Sequence, residues 1–168
     1  MDSYEIERKF LIKKLPEIIY DEIVHIEQYY LKTGDGFSDR IRKSESREGI
    51  FYLRTKKTRT ANRVNKENEK EISENKFNKL KKKAISKIEK YRHIKQDGEY
   101  KWEIDLFKNL DLVIGEIEIV VKGEENLTEI SNQINSFPLP EFIVENLIME
   151  VSDFKPFSNK RLAIPINF

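Results

Sequence analysis

The sequence predicts an α+β fold in which about eight strands form an antiparallel barrel, or a strongly curved sheet, with helices packed outside. Strand-like segments follow one another along most of the 168 residues, and only two or three amphipathic helices interrupt them. Several strands carry two charges of one sign around an apolar residue, so that one face is charged and the other apolar. If the helices cover the apolar faces from outside, the charged faces line the interior.

The first third of the chain alternates strands and turns. Residues 4–12 alternate polar and apolar side chains and predict a strand. A proline near the first turn indicates a short helix over about residues 14–23. The aromatic-rich residues 26–32 predict a second strand, and residues 37–44 and 49–58 predict a hairpin.

The middle of the chain contains the clearest helix. Residues 59–68 have no apolar face and predict a mobile polar loop, which a short strand at 69–72 follows. Residues 74–89 predict a helix that Ser73 or Asn75 would cap. The apolar residues of this segment fall on one helical stripe, with lysines opposite: Phe77, Leu80, Ala84, Ile85 and Ile88.

The rest of the chain predicts strands followed by short helices. Three strands are expected at residues 90–96, 100–108 and 113–122, joined by turn-like segments. A second amphipathic helix is expected over about residues 125–135. Residues 147–152 have a weak strand pattern, and residues 154–163 indicate a short turn or helix.

Charge triplets of one sign recur along the predicted strands. They are Glu5-Ile6-Glu7, Arg40-Ile41-Arg42, Lys90-Tyr91-Arg92, Glu103-Ile104-Asp105, Glu116-Ile117-Glu118 and the looser Glu69-Lys70-Glu71. Residues i and i+2 of a strand share a face, so each triplet points two like charges the same way. The solvated face of an antiparallel sheet is the alternative interpretation, but such a face normally mixes the two signs. Acidic pairs need a cation and basic pairs need a polyanion, which together indicate a site for a metal–phosphate complex.

Composition excludes several classes of protein. The chain is 38% hydrophobic and 36% charged, yet its net charge is only +1, which argues against a general nucleic-acid binder. There is no cysteine, so thiolate chemistry and disulfides are excluded. The apolar runs are too short to span a membrane, and the N-terminal residues lack the apolar region of a signal peptide. We expect one cytoplasmic domain over residues 1–168.

The motifs, taken in order, resemble those of the CYTH family, also called triphosphate tunnel metalloenzymes. Residues 5–10 resemble its ExExK strand, and the similarity continues through QxYL, RxR, LTxK, a middle acidic pair, a KxRY-like strand, ExDxF and a closing ExE. The matching segments are residues 28–31, 40–42, 53–56, 69–71, 90–92, 102–107 and 115–118. Residues 158–163 resemble the C-terminal end of bacterial members. The resemblance implies an eight-stranded antiparallel tunnel with helices outside that hydrolyses triphosphates with Mg²⁺ or Mn²⁺.

Attack on the terminal phosphorus of a triphosphate requires neutralised charge, an in-line water and a stabilised leaving group. We expect six cations to hold the phosphate chain: Arg40, Arg42, Arg54, Lys56, Lys90 and Arg92. Lys57 follows Lys56, and the period of two from Arg54 favours Lys56 as the inward lysine. Four glutamates are expected to hold one or two metal ions: Glu5, Glu7, Glu116 and Glu118. Oxygen ligands without Cys or His favour Mg²⁺ or Mn²⁺.

Further residues are expected to act on the reacting phosphoryl group. Lys9 shares the face of Glu5 and Glu7, and it is assigned to that group or to the leaving oxygen, partly on the resemblance. The residues expected to orient water or to tune the lysines are Glu69, Glu71 and Asp105. Arg8 lies on the opposite face from Lys9 and is expected at the surface.

The predicted function is metal-dependent hydrolysis of inorganic tripolyphosphate, with nucleoside triphosphates as further substrates. An adenylate cyclase and a thiamine triphosphatase are alternatives within the family, although no cluster that could read a base is apparent. A polyphosphate- or nucleotide-binding module without turnover is the alternative outside catalysis. The expected partner is a small triphosphate, with no nucleic acid and no membrane, and a homodimer is left open.

Overall fold

Eight antiparallel strands close into a barrel. A computed structural model describes residues 3–61, 64–122 and 127–166. The barrel strands, in chain order, are β1 (Ser3–Ile12), β2 (Glu22–Tyr30), β3 (Phe37–Ser46), β4 (Gly49–Ala61), β5 (Val64–Glu71), β6 (Ser86–Asp97), β7 (Tyr100–Phe107) and β8 (Val113–Lys122). Their order around the barrel is β6-β2-β3-β4-β5-β1-β8-β7, and β7 pairs with β6 to close it. The predicted α+β barrel is therefore confirmed.

The hydrophobic core lies between the outside of the barrel and the helices. Helix α1 (Glu74–Lys81) packs Phe77 in a cluster with Ile41, and α2 (Leu127–Ser136) and α3 (Glu141–Val144) cover a larger cluster with Trp102 at its centre. Four residues that separate like charges in the triplets are fully buried: Ile6, Ile41, Ile104 and Ile117. The apolar faces thus point outward, as expected, although the outward side chain of Tyr91 is exposed to solvent rather than covered.

The predicted helix over residues 14–23 is wrong. These residues form no helix in the structure, and β2 already begins at Glu22. Backbone bonds to distant parts of the chain hold this segment near both of its ends, since Lys13 N–H donates to Asn146 O and Asp21 N–H donates to Ile94 O on β6. A helix of this length is only marginally stable by itself, so these long-range bonds prevail.

The predicted mobile loop over residues 59–68 is also wrong, because most of it forms a hairpin. Strand β4 continues to Ala61 and β5 begins at Val64, with Lys57 opposite Glu67 in the register. Positions 62 and 63 lie outside the described residues. Strands normally show an apolar face, but the inner face here meets a polar cavity, which hides the strand pattern.

The helix predicted over residues 74–89 ends at Lys81. Ser73 caps it as expected, with its hydroxyl accepting from Lys76 N–H. Strand β6 then begins at Ser86, so Ile88 belongs to the barrel rather than to a helical stripe. The amide of Ile85 donates to Tyr30 O, a bond to β2 that a continuing helix would prevent.

The C-terminal segment crosses from one side of the barrel to the other. Strand β9 (Leu147–Glu150) pairs with β1, a 3₁₀ turn (Lys155–Phe157) and α4 (Asn159–Leu162) follow, and β10 (Ile164–Pro165) pairs with β6. The weak strand and the short helix expected in this region are confirmed. The second predicted helix is observed as α2, and positions 125 and 126 lie outside the described residues. In the described ranges, no helix has the length and apolarity needed to cross a membrane.

Candidate functional site

The barrel encloses a cavity of about 980 Å³ with charges of both signs on its wall. Its acidic residues are Glu5, Glu7, Asp35, Glu67, Glu69, Glu103, Glu116 and Glu118. Its basic residues are Lys9, Arg40, Arg42, Lys57, Arg59, Arg92, Lys101, Lys155, Lys160 and Arg161. The interior is therefore a charged chamber, whereas the apolar residues lie around it.

Strands β1 and β8 supply the acidic wall. Glu5, Glu7 and Lys9 alternate along β1 and all line the cavity. The register places Glu7 opposite Glu118 and Lys9 opposite Glu116, and directly opposed residues share a face of the sheet. All five side chains therefore point inward from two neighbouring strands.

Three of the four predicted metal ligands form an acidic cluster. Carboxylate oxygens of Glu5, Glu7 and Glu118 lie within 4.8 Å of one another. This is a donor set of oxygens alone, which suits a hard divalent cation. Glu116 is not in the cluster, and its carboxylate instead lies 3.6 Å from Lys9 Nζ.

The pKa values of the carboxyl groups in the acidic wall differ widely. Burial would raise the pKa of Glu7, but the Lys9 and Lys57 ammonium groups outweigh it and lower that pKa to about 2. Burial, together with the charges of Glu103 and Glu5, raises the pKa of Glu118 to about 8. The carboxylates of the acidic wall therefore repel one another, as the triplets predict, and a bound cation would reduce this repulsion.

Two arginines of β3 supply unpaired donors on the facing wall. The Nε groups of Arg40 and Arg42 are buried and have no hydrogen-bond partner among the described residues. Their Nη2 atoms lie 3.7 Å from Glu67 and 3.3 Å from Glu69, so carboxylates satisfy them only in part. Burial and the neighbouring Arg40 charge lower the pKa of Arg42. Two packed guanidinium groups with free donors form a site for an anion.

Arg92 is fixed in the cavity wall by an ionic network. Asp105 accepts from Arg92 Nε at 2.8 Å and from Arg92 Nη2 at 2.9 Å, and Glu103 makes a further close contact with Arg92 Nη1. Lys90 is buried and does not line the cavity. Its Nζ donates to Asp105 at 2.5 Å and to Asn159 Oδ1 at 3.2 Å. Asp105 and Glu103 therefore hold Arg92 in place, and Lys90 binds the same Asp105 carboxylate.

Arg54 and Lys56 do not face the cavity, contrary to the sequence prediction. Arg54 stands opposite Ile41, whose side chain points outward, whereas Thr55 stands opposite Arg40. Arg54 binds Asp39 on the outer face, with Nε–Oδ1 at 2.9 Å and Nη2–Oδ2 at 2.6 Å. Lys56 is exposed. The predicted alternation is shifted by one residue from the observed one, and such a shift exchanges the inward and outward side chains of a strand.

Lys57 is the inward lysine of β4, and Glu67 of β5 was missed with it. Lys57 Nζ lies 2.5 Å from Glu5 Oε2 and 3.7 Å from Glu67 Oε2. Burial and a hydrogen bond with Glu5 raise the pKa of Glu67 to about 8. Glu67 precedes Glu69 by two residues, so period-two alternation would have revealed it had the segment been taken as a strand.

The three residues expected to act on water are not together. Glu69 lines the cavity and accepts from Thr55 Oγ1 at 2.6 Å. Asp105 is occupied by two cations, as described above, and Glu71 is exposed and does not line the cavity. Alternation along β5 would place Glu71 on the same face as Glu69, but Glu71 is the last residue of the strand.

Arg8 is buried, so its expected surface position is wrong. Its Nε and Nη2 donate to the Glu150 carboxylate at 3.0 Å each, and its Nη1 donates to Ile134 O at 3.1 Å. Arg8 thereby joins β1 to β9 and to the end of α2. Ser152 Oγ accepts from the backbone N–H of the next residue, Lys9, at 2.9 Å. These contacts fix the strand that carries Lys9.

Comparison with solved structures supports the fold over nearly the whole chain. The inorganic triphosphatase NE1496 is 26% identical, with a TM-score of 0.62 over 98% of this chain and 97% of that chain. PH1819 from Pyrococcus horikoshii is 20% identical, with a TM-score of 0.60 over 78% of this chain and 86% of that one. HpAC1 from Hippeastrum, described as a putative adenylyl cyclase with a dominant triphosphatase activity, is 12% identical, with a TM-score of 0.52 over 86% and 94%. No family model and no curated protein matches the sequence.

Proposed function

We propose that the chain is a CYTH domain of the triphosphate tunnel metalloenzyme family and that it hydrolyses the terminal phosphoanhydride bond of inorganic tripolyphosphate inside the barrel. Nucleoside triphosphates are further candidate substrates. The likeness to the inorganic triphosphatase NE1496 supports hydrolysis of this bond class. Among the described residues, the wall presents no cluster suited to reading a nucleobase, which favours the inorganic substrate.

One observation carries the proposal: unpaired guanidinium donors and an acidic cluster face the same cavity. Arg40 and Arg42 offer their donors to an anion, while the cluster of Glu5, Glu7 and Glu118 repels it. A protein that only binds anions gains nothing from these carboxylates, and a metal ion would add positive charge beyond that of the Lys9 and Lys57 ammonium groups that already contact Glu5 and Glu7. This arrangement favours a metal-dependent enzyme over a binding module.

The acidic cluster fits Mg²⁺ or Mn²⁺, because its ligands are all carboxylate oxygens and no cysteine exists in the chain. Glu5, Glu7 and Glu118 would hold the ion, whereas Glu116 is paired with Lys9. A bound divalent ion would supply positive charge to the phosphate oxygens and polarise the attacking water.

The basic residues divide the remaining work. Arg40 and Arg42 bind phosphate oxygens with their planar guanidinium groups, and Arg92 does so from a position fixed by Asp105 and Glu103. Burial alone would lower the pKa of Lys9, but the carboxylates of Glu116 and Glu7 raise it, so Lys9 stays protonated. Its ammonium group therefore neutralises charge on the leaving oxygen rather than acting as a base. Glu69 is the candidate that orients the water.

Release of phosphate from a panel of substrates tests this proposal. Tripolyphosphate, ATP and thiamine triphosphate are each assayed with Mg²⁺ and with Mn²⁺ over a broad pH range, and cyclic AMP is scored alongside. We expect tripolyphosphate to be the best substrate, and we expect Glu7→Gln and Lys9→Ala to abolish turnover in folded protein. Absence of hydrolysis for the whole panel would leave the binding module, and near-normal rates in both variants would refute the site assignment.

A further inference from the structure

Lys57 is held by the carboxylates that would bind the metal ion. Its Nζ lies 2.5 Å from Glu5 Oε2, 3.8 Å from Glu7 Oε2 and 3.7 Å from Glu67 Oε2. Burial alone would lower the pKa of Lys57, but the Glu7 and Glu5 carboxylates outweigh burial and raise it. The side chain is therefore an ammonium ion shared among acidic groups of the cavity.

The contacts of Lys57 overlap with the acidic cluster. Glu5 and Glu7 are two of the three members of that cluster. A divalent cation would bind their oxygens at about 2.0 to 2.6 Å, and the ammonium already lies 2.5 Å from one of them. Two cations so close repel each other strongly inside a protein. A metal ion and Lys57 therefore compete for the same carboxylates.

If the Lys57 ammonium leaves the carboxylates of β1, its position allows it to bind an anion near β3 instead. Lys57 stands opposite Ser38 on β3, and the next inward pair along these strands is Thr55 opposite Arg40. The lysine therefore lies between the acidic wall of β1 and the basic wall of β3. Its flexible four-carbon stem allows the ammonium to move from one wall to the other, and an ammonium binds phosphate as a point charge.

We propose that Lys57 couples the binding of metal to the binding of the phosphate chain. This inference rests on the proposed function only in that the anion is a phosphate chain. A metal ion on Glu5 and Glu7 releases the Lys57 ammonium, which then binds the anion near Arg40. Conversely, an anion that attracts Lys57 frees the two carboxylates for the metal. The coupling is reciprocal, as binding equilibria require.

Calorimetric titration with Mn²⁺ in the absence of any anion tests the competition. The proteins are the wild type, Lys57→Gln, Arg59→Gln and Lys70→Gln, each checked for folding by circular dichroism. Arg59 lines the cavity on the same strand without an ion pair to the acidic cluster in the described ranges, and Lys70 is exposed on β5. We expect Lys57→Gln to bind Mn²⁺ about 5- to 150-fold more tightly than the wild type, the usual range of coupling between sites.

The two controls separate direct competition from a general change of charge. We expect Lys70→Gln to stay within about twofold of the wild type, and Arg59→Gln to gain much less than Lys57→Gln. Equal or weaker Mn²⁺ binding in Lys57→Gln overturns the coupling, as does an equal gain in Arg59→Gln. The titration contains no substrate, so it does not depend on hydrolysis. Tightened binding in a protein that hydrolyses nothing would refute the proposed function alone.

A second measurement uses the wild type and does not depend on the folding of a variant. Lysines are acetylated with an amine-reactive reagent, with and without Mn²⁺, and the modified peptides are quantified by mass spectrometry. A side chain released from the three carboxylates that contact it is more accessible to the reagent, so Mn²⁺ should accelerate modification of Lys57 and leave Lys70 unchanged. Unchanged or slower modification of Lys57 in the presence of Mn²⁺ overturns the proposal.

Discussion

Replacing Asp105 with asparagine removes the negative charge that holds two cations inside the barrel. Asp105 is 1% exposed, and it binds Lys90 at 2.5 Å and Arg92 at 2.8 and 2.9 Å. Asparagine keeps the shape but has a single acceptor oxygen and no charge. Removing one partner of a buried ion pair costs about 3 to 5 kcal/mol. Because Arg92 keeps its contact with Glu103, we expect a loss near the lower value.

Urea unfolding and thermal melting, both without metal or phosphate, measure this loss. For a chain of this size, about 3 kcal/mol corresponds to a fall in Tm of roughly 6–12 °C. The control is Asp39→Asn, because Asp39 makes a similar bidentate pair with Arg54 on the outer face, with side chains 15% and 20% exposed. A pair with access to water contributes about 1 kcal/mol or less. Equal losses in the two variants would refute the reasoning that enclosure in the barrel sets the energy.

The loss in Asp105→Asn should also depend on pH in a defined direction. Burial would raise the pKa of Asp105, but Arg92 and Lys90 hold it well below its usual range. A carboxyl with a depressed pKa in the folded protein stabilises it fully above the pKa of the unfolded chain, about 3.9, and loses that contribution as the pH falls. The difference in unfolding free energy between wild type and variant should therefore be complete at neutral pH and shrink below about pH 4. A constant difference in acid would contradict this account.

Three further substitutions test other parts of the structure. Lys57→Gln should raise the KM for tripolyphosphate at least about 10-fold, because a buried charged contact is lost. The control Lys56→Gln changes an outward residue and should leave the KM unchanged. Equal effects in the two variants would contradict the inner face assigned to β4. Gly115→Ala should lower the unfolding free energy by about 1 kcal/mol in urea, because the added Cβ would lie 3.1 Å from the buried Ile143 Cδ1. Arg8→Gln should lower it by about 3 kcal/mol, and a loss below about 1 kcal/mol would place Arg8 at the surface.

The sequence predicts the architecture and the β1 and β8 walls because their strands are regular. Glu5 and Glu7 alternate with Ile6, which is fully buried on the outer face, and the charges line the cavity as expected. No bulge interrupts the pairing of β1 with β8, so an alternation read from the sequence persists in space. Within such a strand, one correctly oriented residue determines the orientation of all the others.

The remaining errors arise where contacts with distant parts of the chain determine which face of a strand is buried. Arg54 is an outward residue with an ion-pair partner on β3, so an alternation that starts from Arg54 predicts Lys56 in place of Lys57. Sequence periodicity identifies two faces but not which of them is inside when both carry charge. The surface position predicted for Arg8 fails for a related reason, since the chain near Glu150 and the end of α2 cover the outer face of β1 only in the folded protein.

The barrel reverses the usual distribution of polar and apolar residues, and this reversal explains why its interior can hold ligands. The hydrophobic clusters lie between the strands and the outer helices, with Trp102 fully buried there. Stability from apolar burial therefore does not require the inside of the barrel to be filled. The charged wall can remain unsatisfied in places, as the unpaired Nε groups of Arg40 and Arg42 demonstrate. An anion would pair with the basic wall, and a cation would pair with the acidic wall. Ligands that bind both walls of the folded barrel therefore also stabilise the folded state.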